Sequence, residues 1–203
     1  MYMQNIKGHE FKNHNLFFVL LLVSLTLIGV LLGTIGFCTL PVENIIDLSF
    51  VKNNLIDSRE SMSYMQIIFN SFVSGSVFLL VPFFLGFCSI SQPLLFLIPV
   101  FKGLGLGIGL ASMYYSMGLY GIPTAALTIL PSGIFMVFTM VIGIRESFGL
   151  SKTLASVMLS DKTFFGLKET TKVYCVKYLV LEAIVAIGAL ADMICTLILF
   201  KVI

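Results

Sequence analysis

Between Glu60 and Arg145 the chain carries a single charged side chain, Lys102. A water-exposed surface cannot be built from such a stretch, because soluble domains carry about 25% charged residues. At roughly 20 residues per crossing of the bilayer, the stretch holds about three membrane spans. The whole chain follows suit: of 203 residues, 58% are hydrophobic and 11% charged, and the mean hydropathy is +1.05. The fold class this predicts is all-α, a polytopic integral membrane helical bundle.

Five spans are expected, at 16–39, 65–89, 94–117, 124–144 and 174–200, forming a single transmembrane domain over 1–203. Pro41 closes the first and Gln92-Pro93 the second. The turn-like run from Gly118 to Pro123 follows the third. Within the fourth, Pro131, Ser132 and Gly133 predict a helix break. The first apolar run exceeds the 7 to 15 residues of a signal-peptide core, and Phe37 before Cys38 spoils a small-residue cleavage site, so it is expected to remain as a span.

Charge in the two polar segments sets the expected orientation. Segment 40–64 holds Lys52 and Arg59 against Glu43, Asp47, Asp57 and Glu60, whereas Arg145, Lys152, Lys162, Lys168, Lys172 and Lys177 outnumber Glu146, Asp161 and Glu169 in the segment that follows the fourth span. Lys/Arg excess marks the cytoplasmic side. The N-terminal arm, with Lys7 and Lys12, belongs there too, which makes 40–64 an outer loop and 145–173 an inner basic segment of the cell membrane. Phe148, Leu150, Leu154, Val157 and Met158 in that inner segment fit either a short helix along the surface or an ordinary loop.

Several chemistries lack their residues. A net charge of +2, dispersed along the chain, gives no footprint for nucleic acid. Cys38, Cys88, Cys175 and Cys195 lie far apart without a C-x-x-C pair and read as small core hydrophobes. His9 and His14 are spaced i and i+5, about 140° apart on a helix of 3.6 residues per turn, so they do not face one metal as in H-E-x-x-H. The sequence has no G-x-S-x-G and no P-loop. Gly103, Gly105, Gly107 and Gly109 miss the dinucleotide fingerprint, since Ile108 stands where it needs glycine. They form two overlapping GxxxG pairs instead, and Gly29 with Gly33 repeats the device in the first span. Small residues four apart let helix backbones approach closely. Packing within the bundle is the first reading of these glycines, and homo-oligomerisation the second. The expectation is a chain with no catalytic, metal or cofactor site.

Three ionisable residues fall inside predicted spans: Lys102, Glu182 and Asp192. Each costs about 2.5 to 3.5 kcal/mol at a helix centre even on lenient insertion scales, so each should have a partner or a wet cavity. At 1.5 Å per residue, Lys102 and Glu182 both lie about 12 Å from the inner ends of their helices, and Asp192 lies about 15 Å beyond Glu182. The matched depth predicts an intramembrane Lys102–Glu182 charge pair with Asp192 as an isolated acid. The pair reads either as a bridge locking the third and fifth helices, which is preferred, or as part of an ion or proton path.

At Phe101-Lys102-Gly103 and at Leu130-Pro131-Ser132-Gly133-Ile134-Phe135 the chain resembles the stage II sporulation protein M family. Phe69-Asn70 and Leu85-Gly86-Phe87 match further short elements, so the likeness covers roughly 67–144. It implies a small multi-span membrane protein with a non-enzymatic role, assembling with a companion membrane protein and a cell-wall hydrolase complex during engulfment in sporulation. A membrane scaffold or assembly subunit, with the lipid bilayer and other membrane proteins as its partners, is therefore the leading expectation. The alternative is a small channel or transporter subunit, suggested by Lys102, Glu182, Asp192 and the Pro-broken spans.

Overall fold

With no water in the hydrocarbon core, backbone N–H and C=O groups must pair internally, and long apolar runs do so as helices. The computed structural model describes residues 2–39, 64–120, 123, 125, 129–159 and 167–202. It contains α1 (Tyr2–Thr39), α2 (Tyr64–Gly86), α3 (Gln92–Met117), a short 3-10 turn (Gly118–Tyr120), α4 (Leu130–Leu159) and α5 (Leu167–Val202). Each of the five helices holds a stretch long and apolar enough to cross a membrane: Leu16–Thr39, Met65–Gly86, Gln92–Tyr115, Pro131–Met158 and Lys168–Leu197. The chain is an all-α, multi-pass membrane protein. The predicted outer loop through residue 63, and 160–166 of the inner basic segment, lie outside the described residues, as do the side chains of His9 and His14.

Several helix boundaries differ from the sequence reading: α1 begins at Tyr2 and not at 16, and α2 ends at Gly86 and not at 89. α4 does not stop at Ile144 but continues through Phe148, Leu150 and Leu154 to Leu159, and α5 begins at Leu167, before the expected 174. Charges at Arg145 and Glu146 mark the edge of an apolar run, yet nothing in their helix propensity ends a helix. The residues considered for a surface helix therefore extend α4. The break at Pro131, Ser132 and Gly133 is also mild: Pro131 sits in the first turn of α4, where its missing N–H is tolerated, and the Gly133 N–H donates to the Ile129 carbonyl at 2.9 Å.

α1 packs chiefly on α3, and the glycines explain how. A Cβ on Gly29 would overlap the Val100 carbonyl, one on Gly33 that of Leu104, one on Gly103 that of Thr26 and one on Gly107 that of Val30. Lipid tails are as apolar as leucine, so helices associate in membranes by such close van der Waals contact and not by hydrophobic exclusion. The register, 29 with 103 and 34 with 107, makes α1 and α3 parallel. The outer face of α1 leaves Leu16, Phe17, Leu20, Leu27, Leu31 and Ile35 exposed, as a lipid-facing surface requires.

α2, α4 and α5 form the second group. Gly86 of α2 meets Tyr174 and Gly75 meets Val185, while Gly143 of α4 meets Tyr178 and Gly188 of α5 meets Phe135. Both registers are antiparallel to α5. The odd-numbered helices thus run one way and the even-numbered ones the other, so the start of α1, the α2–α3 turn, the end of α4 and the start of α5 share one end of the bundle. Arg145, Lys152, Lys168, Lys172 and Lys177 lie toward this basic end. Leu22, Leu95, Ile98, Met140, Val141 and Ile144 join the two groups in a core where Phe18, Phe96 and Phe148 meet with ring centroids 5.1 to 5.9 Å apart.

Hydroxyl groups close the basic end. The last carbonyls of a helix lack intrahelical partners; here the Tyr174 hydroxyl donates to the Phe83 carbonyl at 2.9 Å, and the Phe87 and Cys88 N–H groups donate to Phe84 and Leu85 at 3.2 and 3.0 Å. Ser91 donates back to the Leu85 and Cys88 carbonyls, and Ser151 of α4 reaches Cys88 at 2.8 Å. Ser147, fully buried, lies 3.0 Å from the Tyr174 hydroxyl and 2.5 Å from that of Tyr178. Phe83 stacks on Tyr174 with rings 5.4 Å apart and 7° from parallel.

Candidate solute-binding cavity

At the opposite end, the interfaces of α2, α3, α4 and α5 are lined by small residues, and a cavity of about 420 Å³ remains between them. α2 contributes Asn70, Ser71 and Ser74, α3 contributes Lys102, Gly105 and Gly109, α4 contributes Ser132 and Gly133, and α5 contributes Gly188 and Asp192. Apolar walls come from Ile67, Phe78, Leu106 and Met136. Apolar walls with a few convergent polar groups are the usual composition of a small-ligand site.

The structure does not pair Lys102 with Glu182. The Lys102 ammonium lies over the Phe78 ring, 4.6 Å from its centroid, a favourable cation–π arrangement. Glu182 accepts a hydrogen bond from the Ser76 hydroxyl and does not line the cavity. Among the described residues no carboxylate stands within ion-pair distance of Lys102. The two residues make their contacts with different neighbours, Phe78 and Ser76. Nor is Asp192 isolated: it is 0% exposed, its carboxylate is engaged within the protein, and it lines the same cavity as Lys102.

Register gives the axial spacing of Phe78 and Asp192. Phe78 lies three residues from Gly75 toward the basic end, and Asp192 lies seven residues from Val185, the partner of Gly75, in the opposite direction. At 1.5 Å per residue their backbones are roughly 15 Å apart along the bundle. Side chains lean toward the N-terminus of their helix, and α2 and α5 are antiparallel, so these two lean toward each other. Lys102, over Phe78, thus lies toward the basic end of the cavity and Asp192 toward the opposite end.

The glycines of α3 split between the two regions. Gly103 and Gly107 face α1, whereas a Cβ on Gly105 would meet nothing within 4 Å and one on Gly109 only Ile129, at 3.4 Å. The second GxxxG pair therefore borders the cavity and is not a helix contact. Asn70, Ser71 and Ser74 carry a signal that hydropathy hides: small polar residues three and four apart on an otherwise apolar helix share one face. Ser147, Tyr174 and Tyr178 were equally legible only in part, through the i, i+4 spacing of the tyrosines.

Fold and cavity together define the class, a multi-pass membrane bundle with five helices among the described residues and a cavity lined by polar and ionisable side chains. No protein-family model, no curated protein and no solved structure matches this chain. The resemblance to the sporulation family therefore rests on the short motifs quoted above.

Proposed function

We propose that the chain is a non-enzymatic membrane subunit of the channel or transporter class, and that its working part is the cavity between α2, α3, α4 and α5. One observation carries this reading: Lys102 and Asp192, on different helices and of opposite charge, line one polar cavity inside the bundle. Intramembrane charges are expensive, and those that face an interior cavity mark solute or ion pathways. The same reading puts the chain in the cell membrane with its N-terminus in the cytoplasm, because the basic end holds Arg145, Lys152, Lys168, Lys172 and Lys177.

Purified protein in liposomes tests the function. The expected result is uptake of small polar solutes above that of empty vesicles, lost when Lys102→Met or Asp192→Asn is introduced. No flux for any solute, together with co-purification of a cell-wall hydrolase from the native membrane, would overturn it in favour of the scaffold role that the resemblance implies. Reporter fusions after Lys52 and after Lys168 test the orientation; signals from the same side would sink it.

A further inference from the structure

We infer that the cavity binds a small monovalent anion, which accepts hydrogen bonds from the Lys102 ammonium and from the hydroxyls of Ser71 and Ser74. This rests on the reading of the cavity as a solute site and names its ligand class. An ammonium has three donors and no acceptor. That of Lys102 stands 4.6 Å from the Phe78 ring centroid, and among the described residues no carboxylate lies within ion-pair distance of it. A ring face attracts a cation but cancels no charge, so an intramembrane lysine placed this way still calls for a counter-ion. Phe78 itself lines the cavity, which puts the ammonium over its ring at the cavity wall.

α2 supplies the further donors. Ser74 lies one helical turn from Phe78 and Ser71 one turn beyond, on one face of the helix, and both line the cavity. Hydroxyls on such helices often bond back to a carbonyl one turn earlier, as those of Thr26, Thr34 and Thr139 do here. Among the described residues neither Ser71 nor Ser74 makes a hydrogen bond, whereas Ser76 of the same helix donates to Glu182. Two hydroxyls and a cation thus stand uncommitted along one cavity wall. Asp192 does not cancel them: it is fully buried and engaged within the protein, so the charge on offer to a solute is the lysine's. Its field does oppose a second negative charge on the ligand, because like charges repel strongly in a low-dielectric setting. A single negative charge balances the lysine and a dianion leaves an excess. Halides and short carboxylates share the required chemistry, and about 420 Å³ admits either with water.

The test uses the full chain in nanodiscs of zwitterionic lipid and measures binding calorimetrically for chloride, nitrate, acetate and butyrate, with sulfate as the dianion and methylammonium as the cation. The best monovalent anion should bind about tenfold or more tighter than sulfate, and Lys102→Met should weaken it by at least about tenfold, as loss of a charged hydrogen bond does. Ser71→Ala combined with Ser74→Ala should weaken it by about threefold to tenfold. Chloride ahead of the carboxylates would identify a halide site, and the reverse order a carboxylate site. Where Lys102→Met fails to fold, the serine variant and the series of ions on the unaltered protein decide. Absence of anion binding, sulfate or methylammonium binding as tightly as the best monovalent anion, or unchanged binding in folded Lys102→Met overturns the anion site. Flux of a neutral or cationic solute alongside that result would leave the channel or transporter reading standing, whereas anion binding without flux of any solute would sink that reading and keep the site.

Discussion

α3 belongs to two regions with opposite packing. Against α1 its glycines admit backbone carbonyls so closely that no side chain fits, whereas toward α2, α4 and α5 its next glycines border open space. The residue type and the four-residue spacing are the same in both. What differs is the neighbour: α1 presents Gly29 and Gly33 and comes near, while the other side presents serines, an asparagine and an aspartate across a cavity. A small-residue stripe is therefore a permission for close approach, and the facing helix decides whether it is used.

The largest expected effect breaks that comparison directly. Gly103→Val pushes a branched side chain into the Thr26 carbonyl, and overpacking against backbone, which cannot rotate away, should cost about 3 kcal/mol. Gly105→Val, two residues on, should change stability by less than about 0.5 kcal/mol while filling the cavity. Thermal melts in detergent, read by size-exclusion chromatography, measure the first; solute binding measures the second. Equal destabilisation by both would show that α3 has no open face.

A second contrast lies along α2, α4 and α5. Near the basic end these helices fill their interface with Phe83, Tyr174 and Tyr178, and the hydroxyls satisfy one another and the carbonyls of Phe83 and Gly143. Near the other end the same helices leave the cavity. Tyr178→Phe keeps the ring but removes the hydroxyl that bonds to Ser147 and to the Gly143 carbonyl at 2.8 Å, so a loss of about 1 to 2 kcal/mol is expected from an unfolding titration in mixed detergent. Solute binding should be unchanged, because the tyrosine does not line the cavity.

At the bundle's surface the effect shrinks further. Lys177 and Glu146 form an ion pair at 2.6 Å, with the lysine side chain 50% and the glutamate side chain 21% exposed. Water and salt screen such a pair, so a double-mutant cycle with Lys177→Met and Glu146→Gln should give a coupling of about 0.2 to 1 kcal/mol that falls as salt is raised. A coupling of several kcal/mol would mean that this end of α4 is more deeply embedded than its exposure shows.

The sequence made the fold legible and the site only half so, for a geometric reason. Hydropathy counts residues, and counting gives both the number of helices and the depth of a residue along each. Lys102 and Glu182 were assigned a common depth on this basis. Direction around the helix axis is another matter, since each residue turns the side chain by about 100° and small differences in helix rotation decide whether two groups at one level face each other. Thus Lys102 turns toward Phe78 and the cavity, Glu182 turns toward Ser76, and Asp192, set aside because it lay at the wrong depth, joins Lys102 through a cavity that spans the difference.

That correction carries the smallest predicted number. If Lys102 and Glu182 were partners, removing one would strand the other's charge and typically cost about 3 to 5 kcal/mol, much of it recovered in the double mutant. With Lys102 on Phe78 and Glu182 on Ser76, they share no contact, and substitutions at independent sites add within about 0.3 to 0.5 kcal/mol. Lys102→Met combined with Glu182→Gln should therefore lose the sum of the single losses, measured by unfolding in mixed detergent. Lys102→Met combined with Asp192→Asn should fall short of its sum, because both groups contribute to the field of one cavity. Recovery of stability in the Lys102/Glu182 double mutant would restore the buried bridge and remove from the cavity the charge on which the channel or transporter reading depends.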